Sequence, residues 1–267
     1  MVRKRLEDIL VAIGPLTVAV SGGVDSMTLA AAAHLLTGRN GVNMVHAASP
    51  AVPPEATQRA RDWAGRENWD LQVVDAGEFA DANYRSNPVN RCFFCKGNLY
   101  GTIARYSSRQ IVSGANVDDL GEYRPGLDAA RDHGVRHPYV EAGMYKNEVR
   151  QLARELGLGD VAELASSPCL ASRVETSIRI EPETLGFIHA VETFLAEKLK
   201  PRTVRCRVRS TGVVVELDAA SLQLLTVADS ALLETSIMSF LPPNLAGKSL
   251  AFEPYRNGSA FLRTGTS

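Results

Sequence analysis

The segment SGGVDS at residues 21–26 has a composition suited to binding phosphate. It lies between a short apolar run and a stretch rich in alanine and leucine, which indicates a turn from a buried strand into a helix. Gly22 and Gly23 let main-chain amides approach an anion, and the positive end of the following helix faces the same point. Ser21 and Ser26 add hydroxyl donors. The Gly-Lys-Ser/Thr ending of a Walker loop is absent. A tight turn without a ligand is the alternative interpretation.

Two of the four cysteines are spaced as in metal and cluster sites. Cys92 and Cys95 form a C-x-x-C pair whose sulfurs can reach one metal ion or cluster. Cys169, in the segment SPCLASR, is the third candidate, and three thiolates can hold a 4Fe-4S cluster through three of its irons. Structural zinc requires a fourth protein ligand, which folding would have to bring from elsewhere in the chain because no histidine lies close in sequence to either motif, so zinc is a further alternative. A redox-active or merely packed C-x-x-C pair is the alternative.

The segment VRCRVR at residues 204–209 contains three arginines. The two-residue period of a strand puts Arg205, Arg207 and Arg209 on one face. Cys206 falls on the opposite face, where we expect it to be part of the core. Guanidinium groups on one strand face suit a phosphate or a carboxylate. Simple solvation of this charged face is the alternative.

Strands and helices alternate in the first half of the chain. Short β-branched runs predict strands at residues 16–20, 42–47, 71–75, 111–113 and 135–139. Apolar residues at helical spacing predict helices at residues 27–36, 55–67, 99–106 and 146–156. This alternation indicates repeated βαβ units, and therefore an α/β fold with a doubly wound parallel sheet. Ligands bind at the carboxyl ends of such strands, where we also expect the Cys169 segment to lie.

The pattern changes at residues 165–179, where small polar residues and Pro168 interrupt it. We therefore predict a first domain at residues 1–170 and a smaller C-terminal α+β domain at residues 171–267. In the second domain, a helix with an apolar stripe follows Pro182. Strands are expected at residues 204–209, 213–217 and 250–253, with two more helical stretches before the last strand.

Composition argues against several classes of protein, namely nucleic-acid-binding, membrane-bound and disulfide-rich secreted proteins. The formal net charge of −1 gives no electrostatic reason for tight binding to nucleic acid or to an anionic membrane. We see no signal peptide and no apolar run long enough to span a bilayer, so we expect a soluble, cytoplasmic protein. Four cysteines in a chain of 267 residues, two of them in C-x-x-C, favour reduced thiols over a disulfide framework.

Several motifs together resemble one family. The phosphate segment is similar to the PP-loop, which grips the pyrophosphate of ATP during transfer of AMP. The order SGGVDS, NRCFFCK, SGANVDD, RPG, SPCLASR, VRCRVR and YRNGS resembles the LarE family over nearly the whole chain. LarE proteins are ATP-dependent sulfur transferases of the PP-loop ATP pyrophosphatase superfamily. They convert carboxylates of a pyridinium mononucleotide to thiocarboxylates during synthesis of the nickel-pincer nucleotide cofactor of lactate racemase.

The resemblance implies ATP, Mg²⁺ and a 4Fe-4S cluster as cofactors. The expected nucleotide-site residues are Ser21, Gly22, Gly23, Asp25, Ser26, Ser49, Gly114, Asn116, Asp118, Asp119 and Arg173. Asp25 suits water-mediated magnesium binding or helix capping, and Asp118 and Asp119 suit magnesium or nucleotide binding or a turn. Arg205, Arg207 and Arg256 are similar to the family's arginines for substrate phosphate. The resemblance further implies a trimer-based homohexamer.

Two sulfur sources occur in the family. In one form, the cysteine matched by Cys169 gives up its own sulfur and becomes dehydroalanine. In the other, cysteines matched by Cys92, Cys95 and Cys169 hold a 4Fe-4S cluster with a transferable sulfide. Because this chain has all three, we favour the cluster, loaded by sulfide or by a cysteine-desulfurizing donor.

One segment departs from the family pattern. The family commonly has Pro-Tyr-Gly where this chain has Glu175-Thr176-Ser177, so a different acyl acceptor is an open alternative. Other classes compete with the main interpretation. A tRNA-thiolating PP-loop enzyme needs a basic surface, which the near-neutral charge disfavours. An ammonia-using amidating ligase would leave the cysteines incidental, and a regulatory module would bind ATP without releasing pyrophosphate.

Overall fold

The computed structural model describes residues 2–121, 123–165 and 167–261. The described residues of 1–81 and 90–167 form a first compact unit, and those of 82–89 and 168–267 form a second. Residues 82–89 therefore belong with the C-terminal part of the chain. The predicted domain division after residue 170 stays a prediction.

The helices are short to medium in length and occur throughout the chain. In chain order they are α1 Val2–Ile13, α2 Val24–Gly41, α3 Pro54–Arg66, α4 Ala82–Arg85, α5 Arg91–Tyr106, α6 Pro125–Asp132, α7 Pro138–Ala142, α8 Lys146–Glu155, α9 Gly159–Ala162, α10 Pro182–Leu199, α11 Ala219–Gln223 and α12 Val227–Met238. Among the helices formed by the described residues, none combines the length and apolar character that a bilayer-spanning segment requires.

The first unit contains a parallel sheet of four strands. These are β1 Leu16–Val20, β2 Val42–Ala47, β3 Leu71–Val74 and β4 Gln110–Val112, in the order β3-β2-β1-β4. The two central strands, β1 and β2, are buried along almost their whole length, as expected when helices cover both faces of a parallel sheet. The predicted α/β class is confirmed.

Helices of the first unit bury apolar faces against this sheet. Leu6 and Leu10 of α1 are buried, as are Met27 and Leu29 of α2, and all four belong to one hydrophobic cluster with β1 and β2. At about 25 cal/mol per Å² of apolar surface, each fully buried leucine or methionine contributes about 1.5–3 kcal/mol to folding. This packing fixes the start of α2 relative to the end of β1.

The strand predicted at residues 135–139 is wrong. Arg136 makes a single parallel bridge to Val112, with Arg136 N donating to Ile111 O and Ser113 N donating to Arg136 O, each at 3.0 Å. Two residues later, Pro138 begins α7. Proline has no amide hydrogen for a sheet ladder, whereas its fixed φ suits the first position of a helix, so pairing stops there.

The second unit contains a mixed sheet of three strands in the order β5-β6-β7. β5 Val204–Arg209 and β6 Gly212–Leu217 form an antiparallel pair, and β7 Leu250–Pro254 pairs with β6 in parallel. The predicted apolar stripe on α10, Leu185, Ile188, Val191 and Leu195, is fully buried. Cys206 on β5 is also fully buried, which confirms its expected place in the core.

Candidate functional site

The first unit has a topological switch point beside β1. From β1 the chain continues to β2 on one side, whereas β4 pairs with the other side of β1. The loops that follow β1 and β4 therefore leave the carboxyl edge of the sheet in different directions. In open α/β sheets, ligands bind in the crevice that such loops enclose. The segment at residues 21–23 and the segment beginning at Ser113 border this crevice.

The loop after β1 has a conformation that glycine permits. Gly22 has φ +79°, and a Cβ added there would lie 2.4 Å from the carbonyl oxygen of Ala56. Gly23 is the N-cap of α2 and no side chain caps this helix end. The first amides of α2 thus point toward the crevice with their positive partial charge uncompensated by a cap. Arg59 of α3 donates to the carbonyl of Gly22 at 2.8 Å and holds the turn from outside.

Two serines close the loop on itself. The amide of Ser21 donates to Ser26 Oγ at 3.0 Å, and this hydroxyl donates to the carbonyl of Gly23 at 3.2 Å. The two hydroxyl oxygens are 3.0 Å apart. Ser21 is exposed and Ser26 is buried, so only the first hydroxyl faces solvent at the rim.

Asp25 is joined to segments far along the chain. The side-chain amide of Asn116 donates to its carboxylate at 3.3 Å, and the ammonium of Lys146 forms an ion pair with the same group. The hydroxyl of Tyr139 donates to its main-chain carbonyl at 3.1 Å. Burial raises the pKa of Tyr139 well above its ordinary value, so this phenol stays a neutral donor. Gly114 packs so closely that an added Cβ would lie 2.8 Å from the carbonyl carbon of Asp25.

The loop after β4 is shaped by its own carboxylates. Asp119 accepts from the amide of Asn116 at 3.0 Å, and Asn116 accepts from the amide of Asp118 at 3.1 Å. Asp118 also accepts from the amide of Lys146 at 2.7 Å, and Asp119 pairs with Arg124 at 2.9 Å. Asp119 therefore fixes the turn, and Asp118 holds the start of α8. The structure brings Asp25, Gly114, Asn116 and Asp118 together at one edge of the sheet.

The end of β2 lies beside the same edge. His46 Nδ1 is 2.9 Å from the carbonyl of Val20 and Nε2 is 2.8 Å from the hydroxyl of Thr57. Burial lowers the pKa of His46, and the carbonyl can only accept, so the neutral ring carries its hydrogen on Nδ1. Ser49 follows β2, and its hydroxyl accepts from the amide of Ala51 at 3.3 Å.

Lys146 is a residue at this edge that the sequence did not single out. It begins α8, and the sequence predicted that helix without a functional role for its first residue. The signal was a lysine at a helix N-terminus, a position where the helix dipole disfavours a cation. Its ion pair with Asp25 compensates for that placement.

Cys92 and Cys95, the second and fifth residues of α5, lie about one turn apart and are half-buried. Residues three apart on a helix share a face, so both thiols project from one side of α5. Gly126, of the RPG segment, packs over this turn, where an added Cβ would lie 3.0 Å from Lys96 Cγ and 3.7 Å from the carbonyl of Cys92. The RPG segment thus fits closely on the helix that carries the C-x-x-C pair.

Cys169 belongs to the second unit and is exposed. It precedes a short 3-10 turn, Leu170–Arg173, and the buried guanidinium of Arg173 donates to the carbonyls of Pro168 at 2.6 Å and Cys169 at 3.2 Å. Arg173 also makes a two-pronged ion pair with Glu192 at 3.0 and 2.9 Å. Arg173 therefore holds the backbone around the exposed thiol. Within the parts of the chain that the structure describes, no three His, Cys, Asp or Glu side chains are grouped for one metal ion.

The arginines predicted to bind substrate phosphate lie near one another in the second unit. Arg207 is buried, pairs with the fully buried Glu216 at 3.0 Å and donates to the main-chain carbonyl of Arg256 at 3.4 Å. Arg256 is exposed and pairs with Glu253 at 3.2 Å. Burial, followed by the charge of Arg173, lowers the pKa of Arg205 from its ordinary value, so an anion beside this guanidinium would be favoured.

The Glu175-Thr176-Ser177 segment forms a turn with a backbone conformation that glycine usually adopts, although it contains no glycine. Ser177 has φ +73°, the left-handed conformation that suits a glycine at that place. Asn87, which is fully buried, donates to the carbonyls of Glu175 at 2.9 Å and Ile178 at 3.0 Å, on both sides of Ser177. Its own carbonyl accepts from the amide of Ser177 at 2.9 Å. Asn87 therefore imposes the turn.

Comparison with known proteins identifies relatives of this chain. It is 34% identical to the uncharacterized protein slr1717 of Synechocystis over 233 residues, which cover 84% of this chain and 85% of that protein. The chain belongs to the slr1717 family. No family model matches this member of the slr1717 family.

Two more distant proteins are also similar to this slr1717-family chain. The pyridinium-3,5-bisthiocarboxylic acid mononucleotide synthase of Lactiplantibacillus plantarum is 29% identical over 208 residues, covering 76% of this chain and 75% of the synthase. The uncharacterized protein MJ0830 of Methanocaldococcus jannaschii is 26% identical over 205 residues, covering 75% of this chain and 77% of that protein.

Proposed function

We propose that this protein is a LarE-type, ATP-dependent sulfur transferase that converts a carboxylate of a pyridinium mononucleotide to a thiocarboxylate. The observation that carries the proposal is the uncapped start of α2 behind the Gly22 turn, at the switch point of a parallel sheet. Such a site favours a polyphosphate. The name of the Lactiplantibacillus homologue supports a pyridinium nucleotide as the substrate class.

ATP has a clear chemical purpose in this reaction. A carboxylate is a poor electrophile, and its attack on the α-phosphorus of ATP makes a mixed anhydride with AMP while pyrophosphate departs. A sulfur nucleophile then attacks the carbonyl carbon and AMP leaves. In our proposal the amides of the SGGVDS loop bind the phosphates as a PP-loop, and Asp25 holds Mg²⁺ through water. The exposed hydroxyl of Ser21 and the positive helix end support this assignment.

The cysteines would provide the sulfur. We assign a 4Fe-4S cluster to Cys92, Cys95 and Cys169, and its chemistry when bound is to present a transferable sulfide. The placement of two thiols on one helical turn and the exposure of the third support this donor set. Sacrifice of the Cys169 sulfur is the second route, and intact mass after turnover separates the two. Loss of hydrogen sulfide from Cys169 marks sacrifice, whereas an unchanged protein mass with thiolated product marks the cluster.

The second unit would hold the phosphate of the substrate. Arg205, Arg207 and Arg256 are the groups we assign to that phosphate, and Arg207 is held between Glu216 and the Arg256 backbone. Burial and, second, the charge of Arg173 disfavour the charged guanidinium of Arg205, and a bound dianion would offset both effects. By the same likeness we propose a trimer-based hexamer, which sedimentation of the purified protein tests.

The proposal is tested with anaerobically reconstituted protein, Mg-ATP and pyridinium-3,5-biscarboxylic acid mononucleotide, analysed by mass spectrometry of the products. We expect replacement of carboxylate oxygen by sulfur, with AMP and pyrophosphate formed together. A parallel reaction with bulk tRNA is the control for the tRNA-thiolating alternative. Thiolated tRNA without thiolated pyridinium nucleotide would reverse the assignment, and ADP with phosphate would reject the adenylylation chemistry.

A further inference from the structure

A lysine outside the phosphate loop brings a positive charge to it. The SGGVDS segment has no lysine of its own, unlike a Walker loop. The ammonium of Lys146, at the start of α8, forms an ion pair with the carboxylate of Asp25. Asp25 is the second residue of α2, so this ammonium lies next to the first-turn amides that face the crevice.

Hydrogen bonds hold the backbone around Lys146, whereas its side chain can exchange Asp25 for a phosphate as its partner. Its amide donates to Asp118 at 2.7 Å, and the preceding amide, of Tyr145, donates to Glu148 at 2.8 Å. The Lys146 and Asp25 side chains are 36% and 27% exposed. Ion pairs with this degree of solvent contact are weak, so a phosphate can compete for the ammonium.

A polyphosphate bound at this loop would lie close to the negative charge of Asp25, so a nearby cation favours binding. Without Lys146, the Asp25 carboxylate would repel a polyphosphate at the same helix end. Asn116 contacts the other carboxylate oxygen but is neutral. A ligand that draws the ammonium toward itself leaves the Asp25 carboxylate available for a hydrated divalent cation. One lysine can therefore neutralise Asp25 before binding and phosphate afterwards.

We propose that Lys146 is the polyphosphate-binding lysine of this site, contacting the β- and γ-phosphates of ATP and then the departing pyrophosphate. This inference rests on the proposed function. As the substrate carboxylate bonds to the α-phosphorus, the bond from that phosphorus to the bridging oxygen breaks and its electrons leave with pyrophosphate. Lys146 stays protonated and neutralises the charge that grows on this leaving group.

The test is calorimetric binding of three probes: inorganic pyrophosphate, α,β-methylene ATP and AMP, each with Mg²⁺. The variants are Lys146→Met and Lys146→Arg. Lys4→Met is the matched control, because Lys4 is an exposed lysine in an ion pair elsewhere in the first unit. We expect Lys146→Met to weaken pyrophosphate and α,β-methylene ATP by about tenfold or more, with AMP changed by less than about twofold. Lys146→Arg should recover part of the loss.

The loss of affinity for each of the three probes distinguishes phosphate binding by Lys146 from a purely structural role. Equal weakening of all three probes, or a lowered urea midpoint that explains the loss, would assign Lys146 to the docking of α8 and overturn the inference. Unchanged binding in Lys146→Met, while wild type binds the triphosphate, would overturn the inference and leave the proposed function standing. Failure of the wild-type protein to bind any adenine nucleotide would reject both the Lys146 inference and the proposed function.

Discussion

The side-chain amide of Asn116 donates to the carboxylate of Asp25 at 3.3 Å, although 91 residues separate the two. The contact joins the loop after β4 to the first turn of α2, and Gly114 lets these backbones approach. Two segments from opposite sides of the switch point are thus joined at the edge where we place the nucleotide. A substitution in the loop after β4 should therefore disturb the first turn of α2, and the reverse should also hold.

Gly114→Ala should disturb the start of α2. The added Cβ would lie 2.8 Å from the carbonyl carbon of Asp25 and 2.9 Å from the amide nitrogen of Ser26, both main-chain atoms. We expect a loss of about 1–3 kcal/mol in the free energy of unfolding, together with weaker ATP binding. Gly65→Ala is the control, because Gly65 is an exposed residue of α3 with open space around it and its replacement should add about 0.5–1 kcal/mol of stability. Equal urea midpoints for the two variants would contradict the packing described.

Ser177→Gly should stabilise the protein. Ser177 is exposed and has φ +73°, so glycine relieves a strained backbone. After the extra chain entropy of glycine is subtracted, we expect a gain of about 0.5–1 kcal/mol in urea unfolding. Ser239→Gly, at φ −67° and with a hydroxyl bond to Ser236, should change stability in the opposite direction. A loss of stability in Ser177→Gly would mean that the Asn87 contacts do not impose this turn.

Glu192→Gln should destabilise the segment around Cys169. The Arg173 side chain is 3% exposed and that of Glu192 13%, so the substitution leaves a buried guanidinium without its counter-charge. We expect a loss of about 3–5 kcal/mol in the free energy of unfolding. Glu163→Gln, in the exposed pair with Arg154, should cost less than about 1 kcal/mol. Comparable losses in both variants would show that burial does not govern these pairs.

Stability should fall with acidification partly through His46. Burial lowers its pKa below the ordinary 6.5, so between these two values the unfolded chain binds a proton that the folded protein does not. The His46 contribution is complete above 6.5 and is lost as the pH falls toward the lowered pKa. The free energy of unfolding should therefore decrease more from about pH 7.5 to about pH 5.5 in wild type than in His46→Gln. An identical decrease would contradict a neutral, buried His46.

Much of the fold was readable from local sequence. β-branched runs predicted β1 and β2 with their observed bounds, because strands buried on both faces form nearly continuous apolar runs. The period of two placed Cys206 in the core. The strand predicted at 135–139 failed because the segment contains Pro138, whose helix-starting preference outweighs β propensity.

Contacts between residues that are distant in sequence could not be predicted in this way. The membership of residues 82–89 in the second unit depends on Asn87, whose side chain satisfies carbonyls near Ser177. Neither Lys146 with Asp25 nor Arg173 with Glu192 has a local pattern, because each pair is formed by tertiary packing. Arg173 was expected at the nucleotide, and its observed contacts are with Glu192 and the backbone around Cys169. Its predicted role at the nucleotide stays a prediction.

In our proposal, ATP activates a substrate carboxylate as a mixed anhydride at the SGGVDS loop. The most direct measurement uses pyridinium-3,5-biscarboxylic acid mononucleotide whose carboxylates are labelled with heavy oxygen, followed by mass spectrometry of the released AMP and pyrophosphate. We expect one labelled oxygen in AMP for each thiocarboxylate formed, and none in pyrophosphate. Unlabelled AMP alongside thiolated product would contradict it.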